Sequence, residues 1–268
     1  MNVAGETAWL EVPPRVKATY AAFDWGLAYQ YAQHSLVYRL SRDGSTSLFL
    51  KLAEVGHYPT LAGEAERMRW ARNFLPVPEV VDQGSERSVA WLVTTGLPGQ
   101  DGTHPSQLGR PAELARALAR GLRRFHDAAP VDSCPFDFRL AAAREHVRTR
   151  LASGQIDAAR DFHPEFGHLT PERAVELLES TRPDSEDLVV CHGDYCPPNI
   201  LIEEGKATGY VDLGELGVAD RWWDLAAATW SLTWNLGPGF EGVFLAEYGA
   251  ELDLDRQAFY RLLYDLVC

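Results

Sequence analysis

Residues 188–202 read "LVVCHGDYCPPNILI". The apolar runs at 188–190 and 200–202 have the composition of buried strand. Between them stand His192, Gly193, Asp194, two prolines and Asn199. Glycine releases the chain from ordinary φ values and proline removes a ladder donor, so this segment is a tight loop. A carboxylate and a carboxamide, Asp194 and Asn199, are thus set where buried strand gives way. Alone, Asp194 would cap a turn and Asn199 would be an ordinary Asx-turn residue.

Downstream partners change that. Tyr210 and Val211 run into Asp212 in "ATGYVDLG", a second apolar strand ending in a carboxylate. If the two strands pair, Asp194, Asn199 and Asp212 meet at one edge. Hard oxygen donors suit Mg²⁺, which takes one or two carboxylates and fills its remaining positions with substrate phosphates and water. Phosphoryl transfer requires these groups: an Asp on the attacking hydroxyl, an Asn and an Asp on the metal, and a distant strand lysine at the phosphates. Lys51 closes an apolar run in the first hundred residues, and Glu64 follows on a predicted helix, positioned to pair with it. A lone strand-end lysine is usually solvated and a lone helical Glu is a surface charge. The ordered set is much harder to assign to chance. A metal-dependent hydrolase built on His192, Asp194 and Asp212 would need no nucleotide. A pseudoenzyme scaffold would not need Lys51, Asp194, Asn199 and Asp212 intact.

The rest of the chain divides in two. Residues 36–40 and 48–52 are β-rich runs joined by a polar turn holding Asp43 and Gly44, a hairpin signal. "LAGEAERMRWARNF" predicts a helix stopped by Pro76 and Pro78, and residues 78–99 read as a second hairpin. From Pro111, Leu114, Leu118, Leu122 and Phe125 recur at spacings of four, four and three, the stripe of an amphipathic helix. Thr170 and Pro171 open a further helix as N-cap and first residue. The reading is α+β: a β-rich nucleotide-binding lobe at 1–97, a connection near 95–102, and a mainly helical catalytic and substrate-binding lobe at 98–268.

The chain has 268 residues, 46% of them hydrophobic, enough for a sizeable core. Its 25 basic and 38 acidic residues give a net charge of −13, a poor match to nucleic acid or an anionic membrane. The charge suits a cationic partner or simply a solubilising surface. Cys134, Cys191, Cys196 and Cys268 form no Cys-x-x-Cys pair, so buried free thiols are expected rather than a zinc site. The N-terminal residues carry no basic-then-apolar leader and no run reaches a membrane span, which predicts a cytoplasmic protein; separately, a monomer or weak dimer is expected.

At these residues the chain resembles the aminoglycoside phosphotransferases, particularly their 3′-phosphotransferase branch, which has a bilobal protein-kinase-like fold. The resemblance runs through "LFLK", "GEAERMRW", "VPEVV", "CPFDFRL", "LVVCHGDYCPPNIL", "VDLGELGVADRWWDLA" and "AFYRLLYDL". It implies ATP and Mg²⁺, with Asp194 as catalytic base, Asn199 and Asp212 on the metal, and Lys51 on the phosphates, oriented by Glu64. It sets Phe49 against adenine and the hinge backbone at Thr95 and Leu97. Asp224 becomes a structural acid holding the catalytic loop, and His192 a residue that orders it. His126 is read as packing. "QHSLVY" stands where protein kinases carry a glycine-rich loop.

Two departures concern the acceptor. Glu215 replaces the family's Arg in "DLGELG", and a carboxylate there would raise the base's pKa where a cation would lower it. Glu215 therefore points away, or Asp194 is tuned differently, or a cationic substrate lies between them. The family's substrate-binding acids give way to Trp230, Trp234 and Asn235, and the tail keeps only Asp265. Asp157, Asp161 and Glu165 in "DAARDFHPEF" remain to meet cations. The tryptophans, four apart, serve as core or as an aromatic wall. The expected reaction is transfer of the γ-phosphoryl group of ATP to a hydroxyl of an aminoglycoside-type antibiotic, conferring resistance. The alternative acceptors are a capreomycin- or viomycin-type cyclic peptide, a nucleoside drug or a small metabolite.

Overall fold

A computed structural model describes residues 10–31 and 35–267. The expectations placed on the first nine residues, on Gln33 and His34 of the glycine-loop position, and on Cys268 lie outside them. The chain packs as two units, one running to Asn73 and resuming at Val77–Leu97, the other comprising Phe74–Pro76 and Pro98 onward.

The first unit opens with α1 (Pro14–Thr19) and the strands β1 (Asp24–Tyr31), β2 (Ser35–Arg42) and β3 (Ser45–Glu54). α2 (Leu61–Ala71), β4 (Val80–Glu86) and β5 (Val89–Thr95) complete it. The strands form one antiparallel sheet in the order β1-β2-β3-β5-β4. Asp43 and Gly44 both have positive φ, 52° and 78°, the twist that a two-residue hairpin turn requires. Period-two alternation sends Leu50 and Leu52 into the core and leaves Phe49 and Lys51 together on the other face. Leu36, Leu40, Leu50, Leu52, Trp91 and Val93 are buried together. Burying each side chain contributes about 1.5–3 kcal/mol before entropy is counted.

The second unit begins with β6 (Gln100–Asp101), α3 (Pro105–Leu108), α4 (Pro111–Ala128), α5 (Leu140–Ala152), α6 (Ala158–Asp161) and α7 (Pro171–Ser180). It continues through β7 (Leu188–Cys191), β8 (Ile200–Glu203), β9 (Lys206–Tyr210) and β10 (Gly217–Asp220). It closes with α8 (Trp222–Leu236), α9 (Glu241–Tyr248) and α10 (Leu254–Val267). α4 buries the stripe expected of it, Leu114, Leu118, Leu122 and Phe125, and packs on α9 and β9. Thr170 caps α7, its hydroxyl accepting the Arg173 N–H at 3.3 Å.

One expectation is corrected. β7 pairs antiparallel with β10, not with the strand that precedes Asp212; that strand, β9, ends at Tyr210 and pairs with β8. The "GVAD" run that forms β10 is four residues long and buried on both faces, so it has no alternation to betray it. The connection near 95–102 also contains β6, which pairs with β8 inside the second unit. Among the described residues no helix is long and apolar enough to cross a membrane.

Candidate active site

In the first unit, Lys51 Nζ lies 2.9 Å from Glu64 Oε2, with the carboxylate almost wholly buried. The helix explains why that acid is inside. Thr60 caps α2 by accepting the Gly63 N–H, and Leu61, Glu64, Ala65, Met68 and Ala71 share the buried face. Glu64 therefore sits where an apolar residue would be expected, and Lys51 is its partner. Phe49 neighbours Lys51 on the same strand face, and its ring packs against Gly96, where a Cβ would sit 3.4 Å from Phe49 Cε2. Thr95 is engaged elsewhere: its N–H donates to the Glu79 carbonyl at 3.0 Å and its hydroxyl accepts the Glu79 N–H at 3.0 Å. The Thr95 amide is thus not a free donor at the hinge position, while Leu97 is half-buried beyond the strand.

In the second unit the loop after β7 is held from below by one acid. Asp224, at the start of α8 and fully buried, accepts the His192 N–H at 2.7 Å and the Gly193 N–H at 2.9 Å. His126 Nε2 lies 2.9 Å from the same carboxylate and its Nδ1 2.8 Å from the Tyr248 hydroxyl. From the other side Trp223 Nε1–H donates to the Gly193 carbonyl at 2.7 Å. Gly193 has φ +96°, and a Cβ there would come within 2.5 Å of Glu215 Cβ, so the loop needs glycine on two counts. His192 is buried, and burial pushes its pKa down against the opposing pull of Asp224, Asp194 and Asp212. Its Nδ1 accepts the Asp194 N–H at 3.3 Å, the bond of a residue that shapes the loop.

The Asp194 carboxylate meets three donors. Asn199 Nδ2 donates to Oδ2 at 2.7 Å and also to the Asp194 carbonyl at 3.0 Å. The Tyr264 hydroxyl and the Cys196 thiol each donate to Oδ1 at 3.0 Å. None of the three is residue 215; Glu215 is buried against Gly193. Because the Asn199 amide nitrogen is fixed on Asp194, its oxygen is turned away from that carboxylate. The Val211 N–H donates to the Asn199 carbonyl at 3.0 Å, which brings the next residue, Asp212, beside Asn199 without any pairing of β7 and β9. Asp212 itself has φ +61°, a left-handed conformation uncommon outside glycine. A carboxamide and a carboxylate oxygen are a donor set that fits Mg²⁺. Cys191 and Cys196 are buried free thiols whose pKa burial pushes up.

The outer residues are arranged differently from the expectation. Asp265 is corrected first: its side chain is fully buried, accepts the His163 N–H at 2.8 Å and pairs with His163 Nδ1. Asp161 is turned inward too, its carboxylate pairing with Arg150 at 3.3 Å and Arg160 at 2.6 Å. Asp157 caps α6 through the Ala159 N–H, and Glu165 lies 3.8 Å from Arg261. The Asn235 amide donates to the Ser231 carbonyl at 2.8 Å, within its own helix. Trp230 and Trp234 stack, with centroids 5.9 Å apart and planes at 23°, and Trp234 is 70% exposed, so it is not core. The sequence does not mark Tyr264, whose hydroxyl reaches Asp194, or His163, which packs beside it. A period-3.6 reading of "AFYRLLYDL" puts Tyr264 on a half-buried helix face with nothing to mark its hydroxyl.

An antiparallel sheet carrying a Lys–Glu pair, with a helical unit carrying an Asp-x4-Asn loop, defines a phosphotransferase of protein-kinase-like α+β fold. The phosphotransferase enzyme family matches residues 32–260, and the chain belongs to that family. An aminoglycoside 3′-phosphotransferase of Streptomyces fradiae is 36% identical over 261 residues, covering 92% of this chain and 97% of that one. The crystal structure of a type VIII aminoglycoside 3′-phosphotransferase superposes with a TM-score of 0.84 at 37% identity, covering 94% and 96% of the two chains. A Streptomyces rimosus aminoglycoside phosphotransferase in complex with ADP and streptomycin superposes with a TM-score of 0.77 at 26% identity, covering 94% and 96%.

Proposed function

We propose that this protein transfers the γ-phosphoryl group of ATP to a hydroxyl of an aminoglycoside-type antibiotic and so confers resistance to it. The observation that carries the reading is the Asp194–Asn199 loop, whose carboxylate is oriented by three donors and whose carboxamide oxygen is turned away from it. The similarity to aminoglycoside 3′-phosphotransferases along most of the chain supports the same acceptor class and a 3′-hydroxyl. In this reading Asp194 orients the acceptor hydroxyl and takes its proton. Lys51, steadied by Glu64, meets the phosphates, and the Phe49 face with the backbone near Leu97 receives the base. Mg²⁺, when bound, offsets charge on the phosphoryl oxygens, and Asn199 and Asp212 are the residues that would hold it. Positioning and electrostatics supply most of the rate, and the base adds about 10²–10⁴-fold. An enzyme that consumes ATP works where ATP is abundant, which supports a cytoplasmic location.

The test is ADP release by the wild type and Asp194→Ala across aminoglycosides, a capreomycin-type peptide, a nucleoside drug and small amino alcohols. The phosphorylated hydroxyl is then mapped. Aminoglycoside-dependent turnover lost in the variant, with nucleotide binding kept, is the expected result. Wild-type-like turnover in Asp194→Ala, or transfer only to a non-aminoglycoside acceptor, would sink the assignment.

A further inference from the structure

The two carboxylate oxygens of Asp194 have unequal surroundings. Each oxygen of a carboxylate offers two lone pairs in its plane. Among the described residues Oδ1 receives two donors, the Tyr264 hydroxyl and the Cys196 thiol, each at 3.0 Å. Oδ2 receives one, the Asn199 amide at 2.7 Å. One oxygen is filled, and the other keeps a lone pair. The donors on Oδ1 have separate supports. Cys196 and Ser231 are both buried, at 7% and 2% exposure. Asn235 Nδ2 donates to Ser231 Oγ at 3.1 Å, and the Ser231 hydroxyl hydrogen-bonds the Cys196 sulfur. With its sulfur accepting from Ser231, Cys196 turns its S–H to Asp194. Burial, and then the Asp194 carboxylate, push the thiol's pKa up, so it keeps its proton and remains a donor. Tyr264 comes from α10, which is anchored at the next residue: buried Asp265 accepts the His163 N–H at 2.8 Å. A loop residue and a residue from a distant helix thus converge on one oxygen.

We propose that Tyr264 and Cys196 lock Oδ1 as the non-reacting oxygen of the base, and that Oδ2 is the oxygen that takes the acceptor's proton. The proposal deepens the kinase reading above and rests on it. Oδ2 is also the oxygen on the Asn199 side, the side on which the phosphates are expected. In the transfer the acceptor oxygen bonds to the γ-phosphorus. The bond from that phosphorus to its bridging oxygen breaks, with the electron pair leaving on ADP, and the hydroxyl proton passes to Oδ2. Tyr264 and Cys196 touch none of the reacting atoms. They are positioning residues that act through Asp194. Without them the carboxylate turns about its Cβ–Cγ bond, and the open lone pair of Oδ2 no longer faces the hydroxyl. A misaimed base slows the chemical step while leaving the binding of both substrates in place.

The experiment measures single-turnover phosphoryl transfer by rapid quench, calorimetric Kd values for acceptor and ATP, and thermal denaturation. The acceptor probe is kanamycin or neomycin, whichever the wild type turns over faster. The variants are Tyr264→Phe, which keeps the ring and removes only the hydroxyl, Cys196→Ala and Cys196→Ser. Tyr264→Phe should slow transfer about 10- to 100-fold, the range spanned by a hydrogen bond to a charged group. Cys196→Ala should slow it about 3- to 10-fold, because a thiol is the weaker donor. Cys196→Ser keeps a donor and should recover most of that loss. Both Kd values should stay within about twofold of the wild type throughout. A wild-type transfer rate in either Tyr264→Phe or Cys196→Ala overturns the lock and leaves the kinase reading standing. So does a Tyr264→Phe variant whose loss falls on the acceptor Kd, since the hydroxyl would then meet the acceptor and not the base. A Cys196→Ser variant that is as slow as Cys196→Ala and melts with it assigns the thiol to packing and also overturns the lock. A wild type that phosphorylates no aminoglycoside overturns the kinase reading itself.

Discussion

Replacing Asp224 by Asn tests whether the catalytic loop is held by charge or by shape. The carboxylate has no exposed surface, so no water can stand in for it. Oδ2 faces the His192 N–H at 2.7 Å and His126 Nε2 at 2.9 Å, while Oδ1 takes the Gly193 N–H at 2.9 Å. Asparagine keeps the volume but offers one oxygen. Turned to satisfy His192 and His126, its NH₂ meets the Gly193 N–H donor to donor. One buried donor left unmade costs about 1–3 kcal/mol, and the other two bonds each lose about 1 kcal/mol of charge assistance. The sum is about 3–5 kcal/mol. At roughly 2–4 °C per kcal/mol for a chain of this size, thermal unfolding of the second unit should fall by roughly 6–20 °C. Urea unfolding followed by tryptophan fluorescence measures the first quantity. Because Asp194 is two residues from His192, kcat measured well below the transition should also fall, by about 10²-fold for a displacement near 1 Å. A loss under about 1 kcal/mol with kcat unchanged would refute the reasoning, since the loop would then be held without the carboxylate.

Gly193→Ala should cost about 2–5 kcal/mol, because it combines a strained φ of +96° with a Cβ 2.5 Å from Glu215 Cβ and 2.7 Å from its backbone. Thermal denaturation at the wild-type midpoint would contradict that geometry. Stability should also fall on acidification from about pH 7.5 to 5.5. Burial depresses the pKa of His192 below 6.5, and that of His146 in the same direction, so in this window the unfolded chain binds protons that the folded one does not. Stability therefore rises with pH there, by up to about 1.4 kcal/mol per pH unit for each full proton. Urea midpoints across the range, with His192→Asn flattening part of the slope, measure it; midpoints that rise as pH falls would reverse the sign of the argument.

Residue types in order were enough to indicate an α+β phosphotransferase. The Asp194–Asn199 loop, Asp212, Lys51 and Glu64 are legible because each pairs an unusual residue with an apolar run that has no other need of it. The hairpin at Asp43 and Gly44, the Thr170 cap and the α4 stripe are equally local, fixed by backbone freedom, one hydrogen bond and a 3.6-residue period. What the sequence left open depends on contacts between distant segments. The pairing of β7 with β10 was not legible because two short, largely buried strands carry no periodicity to set a register. Asp212 comes beside Asn199 through a single backbone bond from Val211. A carboxylate looks the same in sequence whether it faces solvent or an internal partner. Asp265 and Asp161 therefore read as ligands for a cation until the fold paired them with His163, Arg150 and Arg160. Tyr264, His163, Trp230 and Trp234 become neighbours only when α10, the loop after α6 and α8 converge. Ring stacking and a hydroxyl at a carboxylate are decided by that packing, which no spacing along the chain encodes.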